Sequence, residues 1–305
     1  MRRYVAARLL QSVVVLLGVS AIAFLLMYLT GDPVPLLLPP DATVERVAEF
    51  RHAMGFDRPV WVQYGLFLGR ALRGDLGRSV WFNQPVLPIV LARVPKTAQV
   101  AVGALALGCL IAFPLGIAAA VRTRSWWAPA LMAGAMVGYS TPTFWLGLLL
   151  ILMFSVWLNW LPAAGSGSAL HLVMPVLTLG TNVGALLVRL VWSGLLEVLG
   201  EDYVRTARSK GVAERLVLWR HALKNALLPV ITIIGLELAG LLGGAVVTET
   251  VFAWPGMGRL TVESIYNRDY PMVQGLVLVM AVIFVVANLV VDVSYAALDP
   301  RVRYE

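Results

Sequence analysis

The sequence predicts an all-α integral membrane protein with six transmembrane helices and a long insert after the first of them. Its 305 residues are 59% hydrophobic and only 13% charged, and the mean hydropathy is +0.81. An ordinary soluble domain carries about 25% charged residues. Six apolar segments are each long enough to cross a bilayer, which takes a helix of about 20 residues.

The six spans are predicted at residues 9–29, 97–121, 128–157, 172–196, 229–251 and 272–297. The first follows arginines as a signal peptide would, but its apolar core exceeds the usual ~7–15 residues and no A-x-A site follows. We therefore expect it to remain as a membrane anchor. The third is too long to cross the bilayer perpendicularly, and Pro142 near its middle removes a backbone donor, so a kink or tilt is expected there.

The basic residues of the short connections predict the orientation. Arginines precede the first span and join the second to the third, and arginines and lysines crowd the connection between the fourth and fifth. By the positive-inside rule, both termini and the 198–221 loop are cytoplasmic. The chain then divides into residues 1–29, an extracytoplasmic insert at 30–96, a five-helix core at 97–297 and a tail at 298–305. The insert shows helix-like stretches near residues 44–54 and 61–72 and turn signals at residues 31–33 and 74–77. It is either a lid on the bundle or a surface that contacts a partner.

Composition and spacing argue against several other classes of function. A single cysteine, Cys109, excludes an intrachain disulfide, and three scattered histidines show no metal-ligand spacing, so neither a metal site nor a set of catalytic residues is predicted. The formal net charge of +7 fits topology signals and lipid headgroups better than nucleic acid. No phosphate-binding loop is present, because Lys96-Thr97 lacks the glycines that would cradle a phosphate. The chain is expected to bind no cofactor itself.

The charged side chains of Arg189, Glu237 and Asp292 fall inside predicted spans, where each costs about 2.5–3.5 kcal/mol at the bilayer centre on insertion scales. Arg189 and Glu237 come out at similar depth, so they are predicted either to pair or to face a transport pathway. Asp292 lies near the cytoplasmic end and is expected to be solvated there. Asn182 suits either an interhelical hydrogen bond or the pathway.

The most charged stretch, residues 201–220, lies between the fourth and fifth spans. At helical period, Tyr203, Ala207, Leu216, Val217 and Trp219 are predicted to form an apolar stripe beside a basic face. Gly211 is expected to divide the stretch into two short helices. The stretch is either a solvated loop that only sets topology or a knob that docks on a cytoplasmic partner.

This stretch resembles the cytoplasmic coupling loop of bacterial ABC importer permeases, whose pattern is Glu-Ala-Ala, three residues, then glycine. Arg205-Thr206-Ala207 stands at the first positions and Gly211 at the glycine. Its departures from that pattern are similar to the dipeptide, oligopeptide and nickel permease branch. Further motifs of that branch appear in order: GDLGRS, STPTFWLGLLLI, LPAAG, MPVLTLG, LLGGAVVTETVFAWPGMGRL, RDYPMVQG and LDPRVR.

The resemblance implies the transmembrane domain of a type I ABC importer in the bacterial inner membrane. It implies a second, similar permease, two ATP-binding subunits that hold ATP and magnesium, and an extracytoplasmic substrate-binding protein. The residues that would couple this chain to the ATPases are Tyr203, Thr206, Ala207, Lys210, Gly211, Glu214 and Arg215. Ala207 is expected to stay small to enter the ATPase groove, and Lys210, Glu214 and Arg215 to pair with charges on its rim.

The implied cargo is a peptide, and similar permeases carry nickel chelates, glutathione or oligosaccharides. The competing interpretations are a self-sufficient secondary transporter or channel and a membrane enzyme. The first would show repeated broken helices and paired intramembrane carboxylates. The second would need a nucleophile with a base, or a metal set. Neither pattern is visible in the sequence.

Overall fold

The computed structural model describes residues 2–29, 43–54, 57–123 and 125–298, and the described chain is built from helices. Their bounds are α1 Arg2–Leu29, α2 Val44–Met54, α3 Val60–Ala71, α4 Val86–Val121, α5 Trp127–Ser140, α6 Thr143–Leu150, α7 Leu170–Leu199, α8 Asp202–Ser209, α9 Glu214–Leu216, α10 Leu223–Leu242, α11 Val246–Val251, α12 Met257–Tyr266 and α13 Tyr270–Leu298. Two π-helical turns, Ile151–Trp157 and Val217–Ala222, extend α6 and lead into α10. The prediction of an all-helical membrane protein is confirmed.

Five described helices are long and apolar enough to cross a membrane: α1, α4, α7, α10 and α13. The predicted third span is broken at Thr141-Pro142, where α5 and α6 meet at an angle of 97°. Counting this bent pair as one span gives the six that the sequence predicts. The bend is sharper than the predicted kink, because Thr141 and Pro142 both adopt extended backbone between the two helices.

Two helices have bounds that differ from those of the predicted spans. The second span is predicted from residue 97, and the helix that contains it, α4, starts at Val86 and runs unbroken for 36 residues through Pro95. The fifth does not reach residue 251, because α10 ends at Leu242 and a glycine turn separates it from α11. Gly244 there has φ +116°, a left-handed geometry that glycine adopts readily.

The described part of the predicted 30–96 insert contains α2 and α3, close to the helical stretches that the sequence indicates. Gly74 and Gly77 have φ of +79° and +83°, so the turn predicted around them is confirmed. The turn predicted at residues 31–33 and the tail from residue 299 onward lie outside the described residues. In the described N-terminal part, Tyr64 of α3 binds Ser20 of α1 through its hydroxyl at 2.8 Å, which ties the insert to the first span.

The core of the bundle is the long contact between α4 and α7. A Cβ placed on Gly108 would come within 2.9 Å of Val183, so the glycine allows the two helices to approach closely there. Around this contact a buried apolar cluster joins α4, α7 and α10: Ala112, Val183, Leu187, Val188, Val191 and Val230. These helices form a continuous unit that links the two ends of the bundle.

Candidate functional site

The segment between α7 and α10, residues 201–222, is called the hinge segment below. It consists of α8, a turn at Gly211, the single-turn α9 and the π-helical turn Val217–Ala222, which runs directly into α10. Gly211 has φ +76°, and nothing lies within 4 Å of the position where a Cβ would stand. The predicted division at Gly211 is therefore confirmed. The turn favours glycine because its backbone is left-handed, although a side chain at this position would meet no neighbouring atom.

The inner face of the hinge segment is formed by Val204, Ala207 and Val217, all buried against one another. Val198, Leu199 and Val212 pack around this cluster. Ala207 is 8% exposed and lies against its own chain. Its entry into an ATPase groove stays a prediction. In the isolated chain the site thus has a small core of its own.

The residues of the predicted apolar stripe have two different environments within the chain. Ala207 and Val217 are buried, whereas Tyr203, Leu216 and Trp219 are exposed, with Tyr203 at 41% and Trp219 at 58%. The buried face of α8 also includes Val204, three residues before Ala207, and Tyr203 lies about 100° away from Val204 around the helix. The hinge segment therefore presents aromatic side chains outward, as well as basic ones.

An ion pair closes the hinge turn. The Arg208 guanidinium donates two hydrogen bonds to the Glu214 carboxylate, at 3.0 and 2.7 Å, across Gly211. These bonds raise the pKa of the Arg208 guanidinium. Glu214 therefore has a partner within its own chain, while its predicted pairing with the rim of the ATPase groove stays a prediction. Arg208 was not singled out from the sequence, because its partner is six residues away across a turn whose geometry was not known.

The remaining predicted coupling residues lie on the outer surface. Lys210 and Arg215 are exposed. The Thr206 hydroxyl donates to the Asp202 carbonyl at 2.9 Å inside α8. The Tyr203 hydroxyl accepts a hydrogen bond from Asn225 of α10 at 2.9 Å, so α8 is attached to the start of that helix.

The two charges predicted to pair within the membrane do not pair. Among the described residues no acidic side chain forms an ion pair with Arg189, and Glu237 is half-buried on α10. Similar depth within two neighbouring helices does not bring two side chains together, because each side chain also points in a fixed direction around its helix. Arg189 lies on the face of α7 that meets α5, and it lines a cleft there.

The other two intramembrane candidates have partners. Asp292 of α13 receives the Arg8 guanidinium of α1 at 3.2 Å, so it is paired and half-buried, whereas solvation alone had been predicted. The Asn182 amide donates to the Tyr139 carbonyl at 3.0 Å, which confirms the interhelical hydrogen bond and holds the end of α5 against α7.

Two buried carboxylates were missed by the sequence analysis. Asp269, with no exposed surface, accepts hydrogen bonds from the Ser79 hydroxyl and from the backbone N–H groups of Val80, Trp81 and Met272, the last three at 3.2–3.3 Å. It thereby attaches the turn before α4 to the start of α13. The motifs GDLGRS and RDYPMVQG contain the two partners, but nothing in the sequence indicates that they meet.

Glu249 of α11 is equally buried. Its carboxylate accepts hydrogen bonds from the Thr97 hydroxyl at 2.7 Å and from the Arg259 N–H at 3.1 Å. The same Thr97 oxygen accepts from the Met257 N–H at 2.9 Å. Residues 75–85, 93–97 and 246–272, which these two carboxylates connect, are called the anchored end below.

No catalytic or metal centre emerges from this geometry. The His, Cys, Asp and Glu side chains in the part of the chain that the structure describes form no group of three that could hold a metal ion. What the site offers is mechanical: a surface-exposed, self-packed segment that continues into a long helix.

Comparisons with known proteins agree with this description. The profile of the family described as "Binding-protein-dependent transport system inner membrane component" matches residues 112–304, and that of the family's N-terminal region matches residues 1–101. The chain is 42% identical over 306 residues to the "Glutathione transport system permease protein GsiC" of Salmonella choleraesuis (strain SC-B67), and 41% identical to the protein of that name from Escherichia coli O6:H1. Each alignment covers 100% of both chains.

Solved structures show the same fold. A chain of the MetNI methionine ABC transporter, in an inward-facing conformation, superimposes with a TM-score of 0.57 at 21% identity and covers 69% of this chain and 96% of its own. A second crystal form gives a TM-score of 0.59 at 20% identity. The chain therefore belongs to the family of inner membrane components of binding-protein-dependent transport systems, as a permease subunit of an ABC importer.

Proposed function

We propose that this permease forms half of the translocation pathway of an ATP-driven importer for small peptides, with glutathione the first cargo to test. The support is the 41–42% identity, over the whole chain, to permeases named for glutathione transport. Nickel chelates and oligosaccharides remain the alternatives for the cargo. An extracytoplasmic binding protein delivers the cargo, and this chain binds no cofactor of its own.

The partners in this proposal are a second, similar permease, two ATP-binding subunits that hold ATP and magnesium, and the binding protein. Lipid surrounds the bundle, and nucleic acid has no part. The binding protein meets the anchored end, where Asp269 holds the turn that presents Trp81 with 65% of its surface exposed. The ATPases meet the hinge segment at the other end of the bundle.

The observation that carries the coupling proposal is the continuity between the hinge segment and α10. The segment packs on its own apolar cluster, attaches to α10 through Tyr203 and Asn225, and enters that helix without a break. An ATPase that moves the hinge segment would therefore move α10 with it. The exposed Tyr203, Lys210 and Arg215 form the surface that the ATPase contacts.

The test concerns Gly211, in a reconstituted transporter with all subunits. Gly211→Val should lower cargo uptake about tenfold or more, because a β-branched residue is strongly disfavoured at a φ of +76°. Gly211→Asn is the matched control, since asparagine adopts this region several-fold more readily and the structure leaves open space at the Cβ. Uptake, ATPase activity and pull-down of the ATPase subunits are measured together.

The outcomes separate two roles of the glycine. Uptake retained by Gly211→Asn and lost by Gly211→Val assigns the effect to backbone geometry. Loss in both variants, with the permease still inserted, means that the partner approaches the glycine itself. Wild-type uptake and normal ATPase retention in both variants would reduce the hinge segment to a topology signal, and the coupling proposal would fail.

The orientation in this proposal places both termini and the hinge segment in the cytoplasm, with the insert outside. It is tested by cysteine labelling in a Cys109→Ser background. Asp57→Cys should react with an impermeant reagent in intact cells, and Lys210→Cys only after permeabilisation. Reaction of Lys210→Cys in intact cells would reverse the orientation and remove the ATPase from the hinge segment.

A further inference from the structure

Arg189 is exposed about two thirds of the way along α7, a helix long and apolar enough to cross a membrane. It stands 19 residues after the first residue of α7 and ten before the last, which places it about 28 Å and 15 Å from the two ends. Among the described residues it has no acidic partner. Since an unpaired charge at this depth is costly in hydrocarbon, this face of α7 must meet water or an anion.

The surroundings of Arg189 form a cleft between α5 and α7. Asn182 and Arg189 are seven residues apart and so share one face of α7, and Asn182 holds the carbonyl end of α5 against that face. The cleft, of about 60 Å³, is lined on the α5 side by Tyr139 and Ser140. Of the lining residues in the described part of the chain, Arg189 alone is charged.

This cleft opens onto a larger groove at the bend between α5 and α6. The two share Met136 and Ser140 in their linings. The groove has a volume of about 580 Å³, within the range of about 300–1,000 Å³ that small-molecule sites occupy. The residues that line the groove are mostly apolar and include Phe144 and Trp145. The Arg189 guanidinium of the cleft therefore stands beside an apolar groove.

We infer that Arg189 and the groove form a cargo subsite, in which the guanidinium binds a carboxylate of the peptide and the apolar walls receive the rest. A guanidinium presents a rigid fork of donors that matches a carboxylate. The Ser140 hydroxyl supplies a further donor in the same cleft. The inference rests on the proposed function, because every peptide with a free C-terminus carries this carboxylate and glutathione carries two.

The experiment measures the local charge preference directly, in the complete transporter with a Cys109→Ser permease. Met136→Cys, at the junction of cleft and groove, is reacted with an anionic and a cationic methanethiosulfonate of similar size. With Arg189 present, the anionic reagent should react about tenfold faster, because a cleft lined by one charge concentrates the opposite ion. The ratio should fall toward one in Arg189→Gln and survive in Arg189→Lys.

Cargo binding is measured by protection, with S-methylglutathione as the probe because it has no free thiol. Millimolar probe should slow the labelling of Met136→Cys in the arginine chain and not in Arg189→Gln. Lys210→Cys, in the hinge segment, is the control site, and its labelling should respond neither to the probe nor to the change at Arg189.

Three results would overturn the inference. Failure of Met136→Cys to react would show that lipid or the second permease covers the groove. Equal rates for the two reagents would show that an acidic group of another subunit or a lipid already neutralises Arg189. A faster reaction with the anionic reagent, without slower labelling in the presence of S-methylglutathione, would show that Arg189 attracts anions but does not bind cargo. Uptake of a set of peptides by the unmodified transporter is measured separately. Absence of peptide uptake would contradict the proposed function, whatever the labelling of Met136→Cys shows.

Discussion

The hinge segment and the anchored end lie at opposite ends of α10, and each is stabilised by a different kind of interaction. The anchored end contains two carboxylates without exposed surface, Asp269 and Glu249, each accepting several hydrogen bonds. The hinge segment is closed by the exposed Arg208–Glu214 pair over a cluster of three buried side chains. Buried and fully bonded carboxylates resist rearrangement, whereas exposed ion pairs cost little to break.

The contrast suggests how motion would pass through the chain. α10 has 20 residues, about 30 Å, between the hinge segment and the glycine turn that precedes the anchored end. If the anchored end stays fixed, a displacement of the hinge segment would tilt α10 and the helices packed on it. The anchored end, with its buried hydrogen bonds, suits a binding surface of constant shape. The hinge segment, closed by an exposed ion pair, suits contact with a partner that moves.

The largest expected effect is that of Asp269→Ala. It would leave the Ser79 hydroxyl and three backbone N–H groups without their acceptor, and each buried group left unsatisfied costs about 1–3 kcal/mol. Even with water entering, we expect the free energy of unfolding to fall by about 3 kcal/mol or more. The check is thermal unfolding of the purified permease in detergent.

Asp269→Asn is the matched control for this prediction. It keeps the size and one acceptor oxygen, so it should lose clearly less stability than the alanine variant. An alanine variant with the melting temperature of the unchanged protein would contradict the idea that this end is held by its buried carboxylates.

The anchored end also shows where inference from the sequence stops. Spans, the glycine turn at Gly211 and the two insert helices followed from local pattern, because hydropathy and backbone preference are properties of neighbouring residues. The bond between Ser79 and Asp269 joins residues 190 positions apart, and the partners of Glu249 lie on two other helices. Such contacts depend on how the helices are arranged in space.

The same limit of inference from the sequence applies to the hinge segment, at shorter range. Its two helices, its break and two of its three buried side chains, Ala207 and Val217, were predicted, but Val204 was not. Arg189 was likewise predicted to pair with Glu237, whereas packing places it beside α5. Composition and period therefore indicate which elements form, and packing decides which side chains meet.

The next effect in size concerns Thr97→Val. The valine has the same shape, but Glu249 loses a donor and the Met257 N–H loses its acceptor. We expect a loss of about 2 kcal/mol in the free energy of unfolding. Thr97→Ser, which keeps the hydroxyl, should lose much less. Equal unfolding temperatures for the valine and serine variants would show that the hydroxyl does not hold the anchored end.

A smaller loss, about 1 kcal/mol, is expected for Ala207→Leu, because the added atoms overpack a small cluster that borders solvent. The effect should appear in the isolated permease as faster trypsin cleavage within residues 201–222. Ala207→Ser, of similar size, should leave the cleavage rate nearly unchanged. Unchanged cleavage of the leucine variant, with the ATPases nonetheless released, would mean that Ala207 enters a partner's groove after all.

The smallest effect belongs to the Arg208–Glu214 pair, and it is the most direct test of the hinge segment as the loosely closed end. Both side chains are substantially exposed, so the pair should contribute roughly 0–1 kcal/mol and less at high salt. Glu214→Arg should therefore increase chymotrypsin cleavage of the hinge segment, at the exposed Tyr203, Leu216 or Trp219, slightly at low salt and by an amount that falls as salt is added. Exchanging the two charges, Arg208→Glu with Glu214→Arg, should restore most of the protection if the pair acts only by closing the turn. If the exchanged permease is protected from chymotrypsin yet fails to retain the ATPases, the surface charges also serve the partner. A loss of several kcal/mol from Glu214→Arg alone would show that both ends of α10 are held firmly, and the contrast between them would be lost.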